Sequence, residues 1–174
     1  MKIIPPRLDV LPPAQRRLWP LLQPSTALGF VLYGGTAIAL HLGHRQSVDF
    51  YFFSRAPLDR DAIYNAFPFM AEALMVQDQP NAMAVIVNSP DLEDQPVKLS
   101  FFGAIDFGRV GAPVETDDGT LVIASLDDLL ATKVRTMLRR DEVKDYRDIA
   151  ALLRAGRDLS RGLAGARVLY GSSF

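Results

Sequence analysis

The stretch that most limits what this chain can fold into spans residues 30–54, FVLYGGTAIALHLGHRQSVDFYFFS. Its apolar start, residues 30–33, reads as a buried strand. The Gly34-Gly35 pair that follows lets the backbone turn sharply and approach a ligand with no Cβ in the way. Residues 36–42 read as a helix that presents Ala37, Ile38 and Leu40 to a core, with Gly43 just past its end. A second strand over residues 48–53 then alternates, placing Val48, Phe50 and Phe52 on one face and Asp49, Tyr51 and Phe53 on the other. A glycine turn that feeds a helix start offers free N–H groups to phosphate oxygens, Thr36 adds a hydroxyl, and the facing strand carries one acid, Asp49. This is the layout of a phosphate-handling site.

The remaining elements predict an α+β fold. Pro12-Pro13 starts a short helix that ends around residues 20–24. Residues 57–67 read as a helix, and residues 72–77 and 82–88 pair as a hairpin around Gln79-Pro80-Asn81. A strand follows at residues 97–102, and two short ones at 114–116 and 121–124 flank the Asp118-Gly119 turn. From Ser125 the apolar period changes from two to about 3.6. Ser125 with Asp128 resembles a capping box, and the helix it opens continues to residue 140. Lys133 and Arg140, seven apart, then share nearly one face. A second helix, residues 142–155 and closed by Gly156, carries Asp145 and Asp148; Asp141 and Asp145 suit its amino end, and Lys144 is spaced to pair with Asp148. No repeat or linker divides the chain, so a single domain over residues 1–174 is expected, with its core at 26–124 and a helical part at 125–174.

With 174 residues and 49% hydrophobic content, the chain can bury a core without metals or disulfides. It has no cysteine, which excludes thiol chemistry and fits a reducing cytoplasm. No apolar run approaches the roughly 20 residues of a membrane span, and the amino terminus shows no export signal. The net charge of −1 excludes a nucleic-acid coat protein, yet it is unevenly spread. Residues 1–124 carry nine Lys/Arg against thirteen Asp/Glu, and residues 125–174 carry ten against seven. A basic helical half would guide a polyanion such as tRNA or a nucleoside triphosphate to the site. His41 and His44 flank a helix end, but the chain has no other His or Cys to complete a metal site.

The order of these motifs carries a resemblance. Gly34-Gly35-Thr36 followed by Gly43-His44-Arg45-Gln46-Ser47-Val48-Asp49 resembles the AbiEii/AbiGii toxin family of nucleotidyltransferases, within the DNA polymerase β-like superfamily. Lys133, Thr136 and Arg140 match a second family motif, Lys-x-x-small-x-x-x-Arg, and Lys144-Asp145 with Arg147-Asp148 match a further one. The likeness covers residues 30–153. It implies a mixed β-sheet flanked by helices, with C-terminal helices packed beside it. The activity implied is Mg²⁺- or Mn²⁺-dependent transfer of a nucleoside monophosphate from an NTP to an RNA or protein acceptor, in a toxin–antitoxin or phage-defence system with an antitoxin partner.

By that resemblance Gly34, Gly35 and Thr36 cradle phosphates, Asp49 holds the metal, Lys133 and Asp145 complete the catalytic set, and Arg140 contacts phosphate. Asp148 is structural. Arg45 has two alternatives, reaching phosphate or pairing with Asp49. Phe53 or Tyr51 is placed to stack on a base. The family pattern, however, is Asp-x-Asp, and here Tyr51 stands at the second acid. The superfamily's third acid would fall in residues 97–102, where Lys98, Ser100 and Phe102 share a face and no acid occurs. A phenol with a pKa of about 10 is neutral at pH 7, so the metal would be weakly held and transfer weakened. Because Mg²⁺ is often bound by one or two carboxylates plus the substrate's phosphates, Asp49 alone could still recruit a metal–nucleotide complex. The alternative is a non-catalytic descendant that binds a nucleotide or a partner. Family members commonly extend into a larger helical region, so acceptor recognition is expected to be reduced here or supplied by a partner.

Overall fold

The computed structural model describes residues 1–88, 95–140 and 142–174. The chain begins with strand β1 (Lys2–Ile4), helix α1 (Pro13–Leu18) and the single turn α2 (Pro24–Ala27). Next come β2 (Val31–Tyr33), α3 (Gly34–Leu42), β3 (Asp49–Phe53), α4 (Arg60–Ala66) and the hairpin of β4 (Leu74–Gln79) with β5 (Ala82–Val87). Strands β6 (Val97–Phe102), β7 (Val114–Thr116) and β8 (Val122–Ile123) lead into helices α5 (Leu126–Met137), α6 (Val143–Arg154) and α7 (Leu159–Tyr170). Among the described residues the strands form one mixed sheet in the order β1-β7-β8-β2-β3-β6-β5-β4. Pairing is parallel for β1 with β7, β2 with β8 and β3 with β6, and antiparallel for the rest.

Strand β3 lies inside this sheet, with Tyr51 opposite Tyr33 of β2 on one side and Ser100 of β6 on the other. The period of two works as the sequence predicts. Phe50 and Phe52 are fully buried, and Phe52 stacks on Phe101 at 5.3 Å, with Phe30 and Phe67 also against Phe101. Each such ring removes well over a hundred Å² of apolar surface from water, which makes this face the principal hydrophobic anchor of β3. The other face of β3 keeps Asp49, Tyr51 and Phe53 partly accessible. Helix α3 packs on β2 and β3 and also contacts α5 and α6, so the carboxy-terminal helices reach the sheet through it.

Four features depart from the sequence expectation. Strand β1 was not anticipated: two apolar residues give no readable period, and its order comes from pairing with β7, Lys2 opposite Val114. Helix α7 is likewise unexpected, because Gly162 and Gly165 depress helix propensity. Those glycines instead permit close approach, since a Cβ on Gly162 would lie 2.6 Å from Leu130 Cγ and one on Gly165 would lie 3.2 Å from Ala131 Cβ. The predicted 57–67 helix starts only at Arg60, because Asp59 caps it by accepting a hydrogen bond from Ala62 N at 2.9 Å. Helix α5 ends at Met137 and not at residue 140, so Arg140 belongs to the turn that follows.

The capping box at Ser125 is half realised. Ser125 Oγ accepts from the Asp128 amide at 3.1 Å, but the Asp128 carboxylate reaches outward to the Val110 and Gly111 amides at 2.7 and 3.3 Å. It thereby fixes the loop before β7 to the start of α5. Asp141, expected at the amino end of α6, lies outside the described residues.

The packing of α7 on α5 is testable through Gly162→Ala. Leu130 is 1% exposed and has no free space to yield, so overpacking outweighs the ~1 kcal/mol that alanine gains in a helix interior. Urea unfolding should show a net loss of roughly 1–2 kcal/mol.

Candidate functional site

The glycine turn at the end of β2 is dictated by what lies over it. Gly34 has φ +80°, a left-handed conformation that side chains rarely adopt, and a Cβ there would stand 3.0 Å from the Tyr51 ring. A Cβ on Gly35 would collide with the Arg45 guanidinium and lie 3.1 Å from Ser47 Oγ. Thr36 is fully buried and donates its hydroxyl to the Asp49 carbonyl oxygen at 2.5 Å. Its hydroxyl therefore ties the first turn of α3 to the start of β3, which sets Asp49 beside the glycine hinge.

A buried charge cluster holds the opposite wall. Asp145 and Asp148, one turn apart on α6, are both fully buried. Lys133 of α5, 6% exposed, places Nζ 2.5 Å from Asp145 and 2.8 Å from Asp148. Arg45 grips Asp148 with two donors, Nε at 2.6 Å and a terminal nitrogen at 2.8 Å, and His44 Nε2 donates to the same carboxylate at 2.7 Å. Arg140 donates to Asp145 at 3.0 and 3.3 Å.

Burial alone would push the Asp148 carboxyl up, but the hydrogen bonds from His44 and Arg45 and the charge of Lys133 outweigh it and hold the group well below the usual carboxylate range. Asp145 follows the same logic: burial raises its pKa, the hydrogen bonds from Arg140 and Lys133 more than offset this, and the net shift is downward. Both acids are therefore ionised and matched by cations.

Between the turn and the cluster lies a cleft with two connected lobes. The larger, about 210 Å³, has apolar walls from Tyr33, Ile38, Phe53 and Leu129. The smaller, about 110 Å³, is lined by Arg45, Ser47, Asp49 and Lys144. Gly35, Tyr51, Lys133 and Arg140 border both. One lobe thus suits a planar apolar body and the other an anion.

The sequence-predicted residues are placed as follows. Gly34, Gly35, Asp49, Tyr51, Lys133 and Arg140 all border the cleft. Thr36 lies behind the turn. Asp145 is sealed beneath Lys133 and Arg140, so its action on the cleft passes through them. Arg45 also borders the anion lobe, but its carboxylate partner is Asp148 and not the suggested Asp49. The spacing of Lys144 with Asp148 is unused, and Lys144 Nζ pairs with Glu142 at 2.8 Å. Arg140 reaches Asp145 because the chain turns back after α5, not because it shares a helix face with Lys133. His41 bonds to the Ala124 carbonyl at 3.0 Å, and His44 serves Asp148. Sequence reasoning missed His44 as a cluster member and Asp148 as the point where three groups converge; the GHR triplet after α3 was the available signal.

Burial, followed by the neighbouring Asp49 charge, pushes the Tyr51 phenol above its ordinary pKa. It is neutral at pH 7. Ser100, in register with Tyr51, is 2% exposed and also brings a hydroxyl where an acid would serve a metal. Among the described residues no three His, Cys, Asp or Glu side chains gather as a metal cluster. The acids of α6 are saturated by cations, so among the described residues Asp49 is the carboxylate that lines the cleft. Such a donor set fits a divalent cation that arrives with phosphate oxygens of its own.

The fold and the cleft together define a nucleotidyltransferase-like protein. The chain superposes on a protein from H. pylori assigned as a nucleotidyltransferase, with a TM-score of 0.65 and 18% identity over 81% of this chain and 67% of that one. An antigenic nucleotidyltransferase-like protein from Paracoccidioides brasiliensis gives 0.57 and 16%, covering 94% and 89%. At these identities the likeness is one of fold. Residues 17–172 match the model of the nucleotidyl transferase AbiEii toxin family, type IV toxin–antitoxin system, and the chain belongs to that family. It is also 26% identical over 127 residues to the uncharacterized protein aq_aa25 of Aquifex aeolicus (strain VF5), covering 72% of this chain and 58% of that protein. The chain therefore spans less than two thirds of that relative's length. Among the described residues no helix is long and apolar enough to cross a membrane.

Removing Asp148 should strand buried cations, so Asp148→Ala is expected to cost about 3–5 kcal/mol in chemical denaturation. Because both acids have lowered pKa values in the folded state, their contribution is fully present above the unfolded value of about 4 and is lost as pH falls below it. Stability measured from pH 6 to pH 2 should fall steeply below about pH 4 in the parent and less steeply in Asp148→Asn.

Proposed function

We propose that the cleft binds a nucleoside triphosphate with Mg²⁺ or Mn²⁺ and that the protein transfers its nucleoside monophosphate, at an attenuated rate, to an RNA acceptor such as tRNA. The observation that carries this reading is the meeting of Asp49, the Gly34-Gly35 turn, Lys133 and Arg140 around one cleft. The triphosphate would lie in the smaller lobe against the backbone N–H of the turn, with Lys133, Arg140 and Lys144 supplying positive charge. Base and sugar would occupy the apolar lobe, where Tyr33, Tyr51 and Phe53 offer ring surfaces. Asp145 orients Lys133 and Arg140 toward the phosphates, and Asp148 orients Arg45.

Asp49 would hold the divalent cation, which when bound screens the triphosphate and polarises the phosphorus under attack. Tyr51 limits the reaction from the protein side. Its neutral hydroxyl gives neither a second charged metal ligand nor a base for the acceptor hydroxyl. Ser100 does not replace the missing acid. Membership in a family of type IV toxins supports a toxin role with a cognate antitoxin in the cytoplasm.

The neutral phenol of Tyr51 beside Asp49 also favours a second reading, a nucleotide-binding protein without transfer activity. The two separate in one assay that follows labelled NTP into total RNA with Mg²⁺ or Mn²⁺. Attenuated transfer predicts measurable label in the parent, loss in Asp49→Asn, and a gain of roughly 10²-fold in Tyr51→Asp, the scale of a restored general base. Label in Tyr51→Asp alone would support the second reading. Label that persists unchanged in Asp49→Asn would contradict both.

A further inference from the structure

A third cavity opens beside the anion lobe. It has a volume of about 260 Å³ and is bounded by Pro12, Pro13 and Gln15 of the α1 segment, by Gln46 and Val48 before β3, and by residues 95–97 at the entry to β6. Gln46 and Val48 also line the lobe that contains Asp49, so the two spaces meet at this ridge.

What sets the cavity apart is Gln15. The residue is 1% exposed, yet its amide nitrogen and its amide oxygen are both buried without a hydrogen-bond partner. A carboxamide sealed away from water with neither end satisfied is unfavourable, and buried polar groups in native proteins nearly always have partners. Leucine or methionine would fill the same space without that penalty. No hydrogen bond holds this carboxamide, which lies just behind the cavity wall, so a change of its sp3 side-chain torsions carries it to a polar group that enters.

The chemistry of the walls selects the occupant. Prolines and valines give flat apolar surfaces, Gln46 and Gln95 with Gln15 behind them give paired donors and acceptors, and among the described residues no lining residue carries a charge. Among the described residues the walls offer a phosphate or a metal ion no counter-charge. A nucleobase matches, being planar and neutral with adjacent donor and acceptor atoms of the kind that a glutamine amide engages in pairs.

We propose that this cavity is a base-reading subsite for the acceptor strand: a single-stranded RNA places one base against Gln15, and its sugar–phosphate crosses the Gln46–Val48 ridge toward Asp49. This rests on the nucleotidyl-transfer reading for the identity of the strand as acceptor. The base contact itself is independent of the donor lobe and of any transfer chemistry.

The test uses the full chain, a single-stranded hexaribonucleotide of mixed sequence, and the same hexamer with its bases removed. The side-chain amide signals of Gln15, assigned by comparison with Gln15→Met in NMR spectra, should move when the intact hexamer is added and stay in place with the abasic one. Gln15→Met should weaken hexamer binding about tenfold, the scale of one lost bidentate base contact, while NTP affinity stays at the parent value. Its melting temperature without RNA should equal or exceed the parent's, because the unpartnered amide is gone; a purely structural glutamine would give a lower one. Parent-like hexamer affinity in Gln15→Met, unmoved Gln15 signals at saturating hexamer, or equal binding of the abasic hexamer would overturn the proposal. The donor reading fails by a different sign, the absence of NTP binding in the parent, which none of the Gln15 measurements addresses.

Discussion

The site depends on the buried carboxylate of Asp148. Burying an ion is unfavourable unless counter-charges and hydrogen bonds replace its water, and Asp148 obtains them from His44 and Arg45 after α3 and from Lys133 on α5. One side chain of α6 thereby fixes the position of two other segments. The clamp on Arg45 also places its guanidinium over the Gly34-Gly35 turn, where only a residue without a side chain fits. Asp145, one turn earlier, does the same for Lys133 and Arg140. The cleft is what remains between elements that these ion pairs hold apart and in register.

This arrangement sets the electrostatics. Among the described residues Asp145, Asp148 and Glu142 are matched by cations, and Asp49 is accompanied by two hydroxyl residues, Tyr51 and Ser100, at the neighbouring strand positions. The cations that border the cleft serve these acids, and among the described residues Asp49 is the carboxylate left to a metal. Affinity for a polyphosphate and power to catalyse its breakdown are separable properties. An apolar lobe and an anion lobe that share Tyr51 and Lys133 are consistent with one elongated ligand that is aromatic at one end and charged at the other.

Local chemistry was legible in the sequence, and long-range pairing was not. The strand, Gly-Gly turn, helix and acid-bearing strand of residues 30–54 are specified by alternation and by glycine, both of which act between neighbours. The two faces of residues 48–53 and of 97–102 are legible in the same way, whereas the register that sets Tyr51 opposite Ser100 comes from the pairing of β3 with β6. By contrast, Asp148 meets His44 and Arg45 across more than a hundred residues, and on α6 alone its spacing to Lys144 offered a plausible but wrong partner. Arg140 looked like a helix-face companion of Lys133 because nothing local announced that α5 stops at Met137. Helix α7 was hidden by the glycines that let it pack, and β1 by its brevity. Gln15 gave no signal at all, since an amide without partners is visible only when its surroundings are known.

The most direct measurement is a crystal structure of the protein with a non-hydrolysable nucleoside triphosphate and Mg²⁺. Phosphates are expected against the Gly34-Gly35 turn and within reach of Lys133 and Arg140, with the base in the apolar lobe against Tyr33 and Phe53 and electron density for a cation at Asp49. A triphosphate bound elsewhere, or a cleft in which Asp148 has released Arg45 to make room for the ligand, would contradict this account.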